Sequence, residues 1–95
     1  MAKEYIVHAK VMVSGRHAFI TGFLSSPLAS KRDAEATKKS ILNKIENKVT
    51  IILEDDIEGQ EGVEIVIPSS LVSQSIFYIS IMEREVGESA LTFMD

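Results

Sequence analysis

From residue 4 to residue 13 apolar side chains recur at every second position. Tyr5, Val7, Ala9, Val11 and Val13 share one side, and Glu4, Ile6, His8, Lys10 and Met12 share the other. Period two is the mark of a strand with one buried face. Ser14-Gly15-Arg16 then supplies turn chemistry, and residues 17–24 resume the extended pattern. A two-residue loop, Ser14-Gly15 or Gly15-Arg16, suits a tight hairpin, and both choices give the same faces. Val7, Ala9, Val11 and Val13 line up with Ala18, Ile20, Gly22 and Leu24. The opposite face receives Ile6, His8, Lys10, Met12, His17, Phe19, Thr21 and Phe23.

Ser25-Ser26-Pro27 breaks the strand, and Ser30 with Asp33 three residues later forms a helix N-cap signature. A helix over 31–47 follows, with Ala34, Ile41 and Ile45 as its apolar stripe and Leu42 and the Lys38 stem at the margin. So narrow a stripe predicts packing by one side. Residues 49–54 and 63–67 are rich in β-branched side chains and read as a second hairpin. Val49, Ile51, Leu53, Val63, Ile65 and Ile67 share a face if the loop has an odd number of residues. Pro68 ends this pair, and 69–75 reads as a short helical turn or loop. Residues 75–84 are apolar on both parities, which predicts a central strand covered on both faces. Gly87 ends it, and 90–94 adds an edge strand. The pattern predicts an α+β fold: a mainly antiparallel sheet of five to six strands in the chain order ββαβββ, with one amphipathic helix packed on one face.

Composition narrows the class. At 95 residues the chain makes one domain, 1–95, and 45% hydrophobic with 25% charged residues suits neither disorder nor a membrane span. The apolar runs fall far short of the roughly 20 residues that cross a bilayer. The opening Met-Ala-Lys-Glu-Tyr lacks the apolar core of a signal peptide. The absence of cysteine excludes disulfides, thiolate catalysis and cysteine zinc sites, and favours a reducing, cytoplasmic setting. Net charge is −4, but residues 1–48 carry +5 and residues 49–95 carry −9. These halves either neutralise one another within the fold or build faces of opposite sign that steer a partner.

One helix covers one face of such a sheet, yet several strands are apolar on both parities. Ile6, Met12, Phe19, Phe23, Tyr78 and Met82 fall on the second face, with Ile52, Val66 and Ile76 as candidates to join them. Either the sheet curls or a segment such as 25–32 or 85–95 covers it, or the face is an oligomer or ligand surface. The interleaved His8, Lys10, Thr21 and Ser80 suit an interface with a polar rim.

Candidate chemistry is sparse. His8 and His17 read as strand-surface residues, since no third ligand stands in spacing for a metal. No nucleophile turn accompanies the serines. The loop from Glu54 to Gly62 is the densest charge cluster; its spacing does not fit an EF-hand, and its acids would repel phosphate from Gly59-Gln60-Glu61-Gly62. Asp55, Asp56, Glu58, Glu61 and Glu64 are the expected contact for a protein partner with a basic surface, alongside Glu83, Glu85 and Glu88. Lys31, Arg32, Lys38, Lys39, Lys44 and Lys48 scatter around the helix, which favours solvated surface over nucleic-acid binding. The expectation is a non-enzymatic protein without metal or cofactor. It would self-associate through the second sheet face and bind a macromolecule through its acids, as a viral or accessory inhibitor would. A nucleic-acid module using 31–48, and an oligomer that holds a small ligand on Phe19, Phe23 or Tyr78, are the alternatives.

Overall fold

The computed structural model describes residues 2–13, 19–57, 59, 60, 62–88 and 90–94. Strand β1 (Lys3–Met12) and β2 (Phe19–Phe23) precede helix α1 (Lys31–Glu46). Strands β3 (Ile51–Asp55) and β4 (Glu64–Ile67), the short helix α2 (Ser69–Val72), β5 (Ile76–Glu85) and β6 (Thr92–Phe93) follow. The six strands form one antiparallel sheet in the order β4-β3-β2-β1-β5-β6, so the fold is α+β with a helix on the sheet. The central strand is β1, paired along its length with β5 from Lys3 opposite Glu85 to Met12 opposite Ile76. Met12 pairs with Phe19, the register that a Gly15-Arg16 loop gives. The turn itself, with His17 and Ala18, lies outside the described residues.

The core face read along β1 is borne out from Val7 onward, but burial does not strictly alternate: Ile6 and His8 of the opposite face are buried too, and Tyr5 is only half-buried. Val7, Ala9 and Val11 are fully buried beneath α1, which lays Ala34 and Ile41 across β1 and β5. Ile51, Leu53, Ile67 and Val72 close the same core on the β3 and β4 side, with Ile20, Leu24, Ile45, Phe77 and Ile79 packed against it. Val72 of α2 reaches this core from the turn that Pro68 begins. Gly22 pairs with Ala9, and a Cβ there would stand 2.7 Å from the Glu54 carbonyl oxygen, so this crossing of β2 and β3 needs glycine.

Helix α1 is capped by a side chain at its start and by the backbone at its end. Ser30 is extended, and its side chain accepts the Asp33 N–H at 3.1 Å. At the other end Lys48 takes φ 58°, Val49 N–H donates to Lys44 and Lys48 N–H donates to Ile45. That is a Schellman closure with lysine where glycine is usual. It corrects the expected strand at 49–54: Val49 belongs to the helix exit, is half exposed, and β3 begins at Ile51. The odd positions do share a face, Ile51 opposite Ile67 and Leu53 opposite Ile65, across a loop that runs from Asp55 to Val63. Val63 is an exception: it lies before β4 and is exposed.

β5 also departs from expectation. It pairs with β1 and with β6, where Met82 opposes Phe93, but it is covered on one face only. Phe77, Ile79 and Ile81 face the helix side, while Ile76 and Tyr78 are exposed on the other. The 24–28 segment does not fold over the sheet either. It continues along β1 in the sheet plane: Leu24 N–H donates to Val7, Val7 N–H donates to Ser25 Oγ at 3.0 Å, and Tyr5 and Leu28 exchange both main-chain bonds. The side chain of Ser25 replaces a carbonyl where the ladder shifts register, as in a bulge.

Candidate interaction surfaces

Antiparallel pairing puts opposed residues on one face, so the registers list the open side directly. Met12, Lys10, His8 and Ile6 of β1 stand between Phe19, Thr21 and Phe23 of β2 and Ile76, Tyr78, Ser80 and Met82 of β5. Ile52 and Val66 extend this face on β3 and β4, and Phe93 extends it on β6. Both described helices pack on the opposite side. Phe19 is 44% exposed and Tyr78 51%, and Ile52, Val66, Ile76 and Phe93 are exposed to a similar degree. Phe19 and Tyr78 meet edge to face at 6.1 Å, and Lys10 Nζ lies 4.1 Å over the Phe19 ring. Of the residues assigned to this face, Met12, Phe23 and Met82 are half buried. Ile6, at 4% exposure, is part of the floor rather than the surface.

At its centre the face holds a polar cluster. His8 is only 8% exposed, which corrects its reading as a surface residue. Its Nε2 lies 2.9 Å from Asp56 Oδ2, and the other Asp56 oxygen accepts from Thr21 Oγ1 at 2.9 Å. The rings of Phe23 and Phe93 stand edge-on to the imidazole at 5.7 and 6.3 Å. A buried imidazole needs a partner, and Asp56 supplies it. Thr21 bonds the carboxylate and not the imidazole, so the three side chains tie the end of β3 to β1 and β2 rather than activate a hydroxyl. Composition offered no signal for this cluster: His8 and Asp56 are 48 residues apart, and only the β1-β2-β3 register brings them together. Among the described residues no three His, Asp or Glu side chains converge to hold a metal ion.

The acidic residues divide into separate groups. Asp56 turns inward to His8, and Asp55 Oδ1 accepts the Ile57 N–H at 2.9 Å within its own turn. Glu58 and Glu61 lie outside the described residues. Glu64 is exposed directly opposite Glu54, whose Oε1 accepts the Gly62 N–H at 3.2 Å. Glu83 and Glu85 of β5, with Glu88 just beyond it, lie toward the opposite edge of the sheet, three strands from β3 and four from β4. There Glu83 lies 3.7 Å from Lys3, and the neighbouring Arg84 Nε bonds Glu4 at 2.6 Å. The described acids therefore do not form one surface. No described helix is long and apolar enough to cross a membrane. Compared with known protein families, curated proteins and solved structures, the chain matches none.

Proposed function

We propose that this chain is a non-enzymatic interaction protein that self-associates through the open face of its sheet. At the loop end of β3 and β4, on the margin of the same face, it offers Glu54 and Glu64 to a partner with a basic surface. The observation that carries the reading is the set of exposed apolar side chains, Phe19, Ile52, Val66, Ile76, Tyr78 and Phe93, on a face that both described helices leave uncovered. A second copy is the occupant that suits it. Strands of two to ten residues, at about 3.3 Å per residue and about 4.8 Å apart, outline a face of roughly 600 Å², the low end of what each partner gives to a specific interface. The polar cluster among these apolar side chains is already satisfied by its own hydrogen bonds, so a second copy laid over it strands no polar group.

Paired substitution tests it. Phe19→Ser with Tyr78→Ser removes two exposed rings without opening the core beneath α1. Light scattering is expected to show a dimer for the parent chain and a monomer for the variant, with the same far-UV circular dichroism. A parent chain that scatters as a monomer at about 100 μM would reject the reading.

A further inference from the structure

β2 and β3 share two residue pairs, Gly22 with Asp55 and Phe23 with Glu54. Past them the strands part, because residues 24–28 follow β1 while β3 stays with β4. A cleft of about 290 Å³ opens between them, with Leu24, Ser25 and Ser26 on one wall and Ile52, Leu53 and Glu54 on the other. Ladder alternation fixes which backbone groups face it. Asp55 donates its N–H to Val63, so the odd residues of β3 turn their main-chain groups to β4 and the even ones turn away. Ile52 thus aims its N–H and C=O into the cleft, and no described strand pairs with it on that side. Its side chain is 51% exposed. At the rim Glu54 and Glu64 oppose one another, an unfavourable pairing of like charges, and among the described residues neither is in an ion pair.

We propose that this cleft takes an extended, basic segment of a partner protein. The segment adds to the free side of Ile52 as a strand and sets a Lys or Arg beside Glu54 and Glu64. Main-chain bonds to Ile52 hold the segment, and the two carboxylates select its charge. The inference rests on reading the Glu54 and Glu64 edge as the partner contact, and adds the backbone mode by which that contact is made.

The test uses an acetylated, amidated octapeptide of alternating Lys and Val, titrated into isotope-labelled protein at low salt. Controls are the Glu-for-Lys peptide, polylysine, and two copies N-methylated at every Lys or at every Val. The Lys-Val peptide is expected to bind and shift the Ile52 amide resonance. The Glu peptide should not bind. One N-methylated copy should fail while the other binds, since a strand turns alternate amides toward its neighbour. Glu54→Gln with Glu64→Gln, checked for an unchanged amide spectrum, should weaken binding about fivefold or more. Equal binding of both N-methylated copies overturns strand addition but leaves the acidic contact standing. So does polylysine binding that the double variant abolishes when the octapeptide fails at about millimolar concentration. Binding of the octapeptide and polylysine that ignores the double variant overturns both readings.

Discussion

Two side chains show how single residues hold this sheet together. Val7 is fully buried, so its N–H needs an acceptor, and at the shift of register that acceptor is the Ser25 hydroxyl. Ser25→Ala leaves the N–H stranded and should cost about 1–3 kcal/mol in urea unfolding. Asp56 satisfies both His8 and Thr21. Asp56→Ala should therefore destabilise by a similar amount, about 1–3 kcal/mol, whereas alanine at the solvated Asp33 should be close to neutral by the same measurement. Neither role was legible in the sequence. Ser25 sits in a run that announces a break, and Asp56 in a run that announces a solvated loop. Each acquires its partner from a strand far away in the chain, and local pattern carries no trace of a pairing that depends on register.

At the scale of elements the sequence was far more informative, because burial itself has a period. The alternation of Val7, Ala9, Val11 and Val13 located the core face of β1, and Ser30 located the start of α1. The pattern erred where a residue's composition and its backbone role differ. Val49 looks like the start of a strand, but it closes the helix in a Schellman turn. β5 looks doubly covered, but half its apolar side chains face outward. The same helix end yields a stability prediction. Lys48 at φ 58° carries a Cβ in a conformation that glycine adopts freely. Lys48→Gly should raise stability by about 0.5–1 kcal/mol, read as an upward shift of the thermal midpoint.

For the whole molecule, the order of the sheet rearranges the charge of the chain. The basic first half supplies β1, β2 and α1, and the acidic second half supplies the remaining strands. Because β1 lies between β2 and β5, these halves interleave, and the described acids collect at two separate places rather than over one side. What stays uncompensated at this scale is apolar: a sheet face with its rings exposed and both described helices behind it. The proposed self-association turns on that face. Mixing isotope-labelled with unlabelled copies and recording only the contacts between them tests it most directly. Intermolecular contacts from the rings of Phe19 and Tyr78 and the methyls of Ile76 are predicted. Contacts confined to α1 or to the Glu83 end of β5, or no contacts in concentrated solution, would contradict the account.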